Sequence, residues 1–198
     1  ELGGKVVAIA GPDGYIYDPD GAVTDEKINY LLEMRASGRD KVQDYADKFG
    51  CEFHAGEKPW GLGADKVDIM MPCATQNDVN MDSAKKIAAS GIKYYIEVAN
   101  MPTTNDALEF LKEQKHMVIA PSKAVNACGV AVSALEMAQN AERLYWTAEE
   151  VDAKMHQIMA NIYHSSVAAA ERYGLGYDLV AGANIVGFQR VADAMTAQ

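Results

Sequence analysis

The chain has 198 residues, 49% of them apolar, and carries 18 basic against 28 acidic side chains, a net charge of −10. That length supports one domain with a substantial core, and the acidic balance argues against a nucleic-acid partner, which selects a basic face. No apolar run approaches the roughly 20 residues of a membrane span, and the N-terminus lacks the basic start and apolar stretch of a signal peptide, so the expectation is a cytoplasmic protein with neither nucleic acid nor membrane as partner.

The chain opens Glu1-Leu2-Gly3-Gly4 without an initiator Met and enters a β-branched run at once, so it is read as beginning inside something longer. Lys5 to Ala10 is expected to be a buried strand, followed by the turn Gly11-Pro12-Asp13-Gly14. An acidic residue at the end of a strand in a doubly wound fold can accept hydrogen bonds from an adenosine ribose. Pro-Asp-Gly is equally a common turn in which Asp bonds locally, and both readings stay open for Asp13.

Residues 15–66 form an insertion longer than an ordinary connection. Within it Thr24 is the expected cap of a helix stopped by Ser37-Gly38, and a second helix runs from about Asp40 to Phe49 with Gly50 after it. Phe53 to Lys66 reads as a surface loop; its Gly61-Leu62-Gly63 opens no helix and follows no strand, so it is not a phosphate loop. His54 has no second ligand at metal spacing. Cys51, Cys73 and Cys128 form neither a disulfide framework nor a zinc motif, and no metal site is expected.

Three further apolar runs follow one plan. Val67 to Met71 leads into Pro72-Cys73-Ala74-Thr75-Gln76-Asn77; Tyr94 to Val98 into Ala99-Asn100-Met101-Pro102; Met117 to Ala120 into Pro121 and a polar turn ending at Asn126. Each run ends near Pro and uncharged hydrogen-bonding side chains, and each is followed by a helical pattern: Asn80 to Ala89, one beginning at Thr103, and about Gly129 to Asn140. Continuous apolar strands alternating with helices predict a parallel sheet covered on both faces. Right-handed crossovers then carry all the strand ends to one edge, where such sheets bind ligands. Asp13, Thr75, Asn100 and Asn126 are expected on a common rim. Capping alone also explains any one of these turns. Glu97, if buried, needs a partner. A Thr147/Glu150 capping box opens a helix to about Tyr173 with Val151, Met155, Ile158, Met159 and Ile162 buried, and a last helix, Asn184 to Met195, is expected to bury Ile185, Phe188 and Val191.

Five stretches, Ala10-Gly-Pro-Asp-Gly-Tyr, Met71-Pro-Cys-Ala-Thr-Gln-Asn, Ile96-Glu-Val-Ala-Asn-Met-Pro-Thr-Thr, Ala120-Pro-Ser-Lys-Ala-Val-Asn-Ala and Leu179-Val-Ala-Gly-Ala-Asn-Ile-Val-Gly-Phe, resemble in order the nucleotide-binding domain of hexameric bacterial glutamate dehydrogenases. The resemblance implies a single, incomplete Rossmann-like domain over residues 1–198, with C-terminal helices at 147–198 and with the first strand and glycine-rich turn missing. It implies interconversion of L-glutamate with 2-oxoglutarate and ammonium, NAD in preference to NADP, and a homo-hexamer for the full-length enzyme. Pro12 and Asp13 would face the adenosine ribose, Ala74, Thr75 and Asn100 would lie along the cofactor, and Asn126 would hold the nicotinamide carboxamide. Val130 and Ser133 would wall the glutamate pocket. Cys128 stands where Gly is more usual. No catalytic residue falls within this chain on that reading, because the lysine and aspartate belong to the substrate domain; the piece alone is expected to be inactive. The competing reading is a non-catalytic nucleotide-binding or regulatory module.

Overall fold

The computed structural model describes residues 3–197, so the reading of Glu1 and Leu2 lies outside the described residues. The chain divides into two compact units, Glu1–Val67 and Asp68–Gln198.

In the first unit β1 (Ala8–Ala10), β2 (Gly14–Tyr17) and β3 (Glu52–Ala55) form an antiparallel sheet in that order. The Lys5 to Ala10 run is thus not a strand of the parallel sheet. A four-residue turn closed by Gly11 N–H donating to Gly14 O at 2.8 Å sends the chain straight back, pairing Ala10 with Tyr15 and Ala8 with Tyr17. Gly14 is required there: its φ is +149°, and a Cβ would overlap the His54 carbonyl oxygen on β3. The stretch expected to be a surface loop after Phe53 instead begins as β3, paired with β2 from Gly14↔Ala55 to Tyr17↔Glu52. Helix α1 (Asp25–Ala36) starts at Thr24, whose hydroxyl accepts the Lys27 N–H, and α2 (Gln43–Phe49) ends at the left-handed Gly50. Ile16, Met34, Val42, Tyr45 and Ala46 make the core. Inside it Asp18 accepts from Lys27 Nζ at 2.6 Å and the Tyr45 hydroxyl at 2.8 Å.

The second unit holds the parallel sheet, in the order β4 (Ile69–Met70), β5 (Tyr94–Ile96), β6 (Val118–Ala120). Register pairs Met70 with Tyr95 and Ile96 with Ala120, so the three carboxyl ends lie abreast. The connections run through α3 (Met81–Ser90), capped by the Asn80 side chain, and α4 (Asn105–Lys112). Both step the same way along the sheet, so crossovers of the usual hand set both helices on one face, and the two pack together. Val79, Ile87, Ile92, Tyr95 and Leu111, from these helices, β5 and the adjoining loops, are fully buried.

After β6 the chain does not enter an open turn. It forms the short helix α5 (Ser122–Val125), pivots at Asn126, and continues as α6 (Ala127–Glu142). The expected capping box opens α7 (Ala148–Arg172), and α8 (Leu179–Thr196) packs on α7 and on β6. The buried residues of α7 are Ser166, Ala169 and Ala170; the apolar stripe from Val151 to Ile162 is only half-buried. On α8, Leu179, Val180 and Gly182 are buried, while Phe188 (72% exposed) and Val191 (59%) face outward, against expectation. The cause is the α7–α8 crossing. Small residues let the backbones meet, and a Cβ at Gly182 would overlap the Ser166 carbonyl oxygen. That fixes which side of α8 turns inward. Among the described residues no helix is long and apolar enough to cross a membrane.

Candidate functional site

The carboxyl ends of β4, β5 and β6 open into one cleft of about 630 Å³. The β4–α3 loop supplies Ala74, Thr75 and Gln76, the end of β5 supplies Val98, Ala99 and Asn100, and the start of α6 supplies Asn126, Gly129 and Val130. None of these side chains is charged. The volume falls within the range of small-molecule sites, roughly 300–1,000 Å³, and the polar groups are amides and one hydroxyl, able both to donate and to accept.

Several backbone bonds hold the rim. Pro72, placed where no further ladder donor is available, offers its carbonyl to Val98 N–H at 3.2 Å and Ala99 N–H at 3.0 Å. Beyond the strands the first two loops still run side by side: Asn77 N–H donates to Met101 O at 3.0 Å, Val79 N–H to Pro102 O at 2.9 Å, and Val79 and Thr103 form a parallel bridge. Asn77 and Met101 both have positive φ, 58° and 47°. For Asn that conformation is mild; for Met it carries strain that the surrounding bonds hold in place. Beneath them the Tyr95 hydroxyl and Thr103 Oγ1 are 2.8 Å apart. Burial pushes the Tyr95 phenol far above its ordinary value, so it stays protonated.

Glu97 is 3% exposed and finds the partner its burial demands: its Oε2 accepts the Ser122 N–H at 3.2 Å, at the first residue of α5. A carboxylate here satisfies a helix-start N–H that has no intrahelical acceptor and ties β5 to α5. Lys123 then reaches from α5 to the Asn184 side chain on α8. Asn126, four residues after Ser122, sits between the two helices at φ −96°, ψ 9°. Its Nδ2 donates to Val98 O at 3.1 Å and to Asn100 Oδ1 at 2.7 Å.

Of the residues singled out from the sequence, Ala74, Thr75, Asn100, Asn126 and Val130 line this one cleft. Ser133 is exposed three residues after Val130, on the same side of α6. Pro12 and Asp13 belong to the first unit. There Asp13 has a structural occupation: Oδ1 accepts Val42 N–H at 3.0 Å and Oδ2 accepts Gln43 N–H at 3.1 Å, which caps α2 from a distant part of the chain. Pro12 is exposed in the hairpin turn. Cys73 is exposed, its thiol donates to Met71 O at 3.3 Å, and partial desolvation pushes the thiol up. Val98 and Ala99 were not anticipated as lining residues; the only sequence signal is their position at the end of an apolar run.

A parallel α/β unit with a neutral, hydrogen-bonding cleft at the carboxyl edge of its strands is the arrangement of α/β ligand-binding domains. Residues 1–198 match the Glutamate/Leucine/Phenylalanine/Valine dehydrogenase family, and the chain belongs to it. It is 72% identical to the NAD-specific glutamate dehydrogenase of Clostridium symbiosum, over 100% of this chain and 43% of that protein. A solved structure titled glutamate dehydrogenase, also 72% identical, superposes with a TM-score of 0.94 over 100% of this chain and 43% of the other. The NADP-specific glutamate dehydrogenase of Haemophilus influenzae is 46% identical over 100% of this chain and 43% of its own length. The chain therefore spans less than half the length of these relatives.

Proposed function

We propose that this chain is the nicotinamide-nucleotide-binding part of a glutamate dehydrogenase, which oxidatively deaminates L-glutamate to 2-oxoglutarate and ammonium with NAD as the hydride acceptor. The observation that carries the reading is the single cleft gathering Ala74, Thr75, Asn100, Asn126 and Val130 from three separate segments. Its residues fit the cofactor: small side chains at Ala74, Ala99 and Gly129 leave room for a flat ring, and neutral amides match the donor and acceptor of a carboxamide.

In this reading Asn126 binds the carboxamide, Ala74, Thr75 and Asn100 lie along the ribose side, and Val130 and Ser133 present α6 to the substrate. Pro12 and Asp13 would meet the adenosine ribose. NAD preference is supported by the name of the 72%-identical Clostridium symbiosum relative, whereas Asp13 supports it less, because both carboxylate oxygens already accept backbone N–H groups. The longer protein would act as a homo-hexamer in the cytoplasm, and this piece alone would be inactive, because 43% coverage leaves more than half of the relatives' length to supply the rest of the site.

The test is spectrophotometric. The full-length parent should give a glutamate-dependent rise in NADH absorbance, and the pure 198-residue chain none. No rise with the parent would sink the activity; a rise with the chain alone would sink its partial role.

A further inference from the structure

We propose that Asn100 is a positioning residue for Asn126: it takes up the one side-chain proton of Asn126 that the backbone leaves over, so that Asn126 shows the cleft only its carbonyl oxygen. The inference rests on the cofactor reading above and adds a selection rule to it.

The two amides are oriented by a group that cannot turn. The Val98 carbonyl oxygen accepts and never donates, so the Asn126 atom 3.1 Å from it must be Nδ2; the flipped amide would set two acceptors against each other. An amide nitrogen has two protons. The second goes to Asn100 Oδ1 at 2.7 Å, which in turn fixes the Asn100 amide with its oxygen toward Asn126. With both protons committed, Asn126 retains only Oδ1, an acceptor, for a ligand. It is half-buried at the junction of α5 and α6 and is one of the residues lining the cleft. A ring substituent with an N–H to give meets a partner there. One that offers only a carbonyl oxygen meets an acceptor and leaves Asn126 unpaired.

Removing Asn100 changes this without touching Asn126. The freed Nδ2 proton becomes available to the cleft, and an acceptor-only ligand gains a donor it lacked. The site should then discriminate less, and an acceptor at residue 100 should restore the selection. Asn100 is exposed and lies outside any helix or strand, so its substitution costs little stability.

The experiment titrates the 15N-labelled 198-residue chain with nicotinamide mononucleotide and with its 3-acetylpyridine counterpart, which has the same charge and carbonyl but no N–H. The parent chain should bind the carboxamide more tightly. Asn100→Ala should lower that preference about fivefold, the equivalent of one neutral hydrogen bond, and its Asn126 side-chain protons should exchange faster with solvent. Asn100→Asp, which still accepts from Nδ2, should keep the preference. An unchanged preference in Asn100→Ala overturns the positioning role. Equal affinity of the unsubstituted chain for the two ligands, with shifts at cleft residues, also overturns it and leaves the cofactor reading standing. No shift at any cleft residue with either ligand removes the cofactor reading, and this inference with it.

Discussion

Replacing Gly129 by Ala should make the chain more stable and a poorer binder. Gly129 lies in the first turn of α6, its φ is not positive, and a Cβ built on it meets nothing within 4 Å. Neither backbone geometry nor packing asks for glycine. Glycine inside a helix costs about 0.5–1 kcal/mol relative to alanine, so Gly129→Ala should raise stability by about that amount, or about 1–4 °C in Tm for a chain of this size. Gly129 is one of the residues lining the cleft. On the cofactor reading proposed above, a methyl group entering the cleft should weaken nicotinamide mononucleotide by about tenfold, an overpacking cost of about 1–2 kcal/mol, and Gly129→Val should weaken it further. Differential scanning calorimetry and NMR titration read the two effects separately. A lower Tm would mean that glycine serves the fold; a higher Tm with undiminished binding would mean that the cleft is not where the ring sits.

Other substitutions probe the scaffold. Gly182→Ala should destabilise by about 1–3 kcal/mol, because the new methyl overlaps the Ser166 carbonyl and α7 and α8 must separate; urea unfolding measures it. Asp13→Ala should cost about 0.5–2 kcal/mol by uncapping α2, with Asp13→Asn costing less, while Asp13→Lys in the full-length parent reports on cofactor choice through the NADP-to-NAD rate ratio. Burial of Asp18 acts to raise its pKa, but the hydrogen bonds from Lys27 and Tyr45 outweigh it and leave the carboxyl below its ordinary value. Its stabilising contribution is therefore complete above about pH 4, the unfolded value, and disappears as the pH falls through the lowered folded one. Thermal melts between pH 7 and pH 3 should show an acid loss that Asp18→Asn lacks; equal losses in both proteins would refute the role.

The parallel half of the fold was legible because its signals are local. Pro72 and Pro121 mark where strands stop, the helix expected from Asn80 begins one residue later with Asn80 as its cap, and the Thr147/Glu150 pair caps its helix as expected. The antiparallel half was not. β1 and β3 are three and four residues long, too short for alternation to show, and their pairing follows from a close approach at Gly14 that no periodicity reports. Phe188 and Val191 have core-like spacing but lie outside, since the inward side of α8 was settled by small residues, Gly182 against Ser166. For the site, the amide and hydroxyl side chains were visible as residue types, yet the Asp13 cap on α2 joins positions about thirty apart and leaves no trace in either neighbourhood.

The paired loops beyond β4 and β5 have a thermodynamic corollary. With Asn77, Val79 and Thr104 already bonded across to the neighbouring segment, the two loops that carry Thr75 and Asn100 are ordered when the protein folds. An occupant then gives up its own freedom and little of the host's, and calorimetry should record an entropy of association close to that of immobilising the ligand alone.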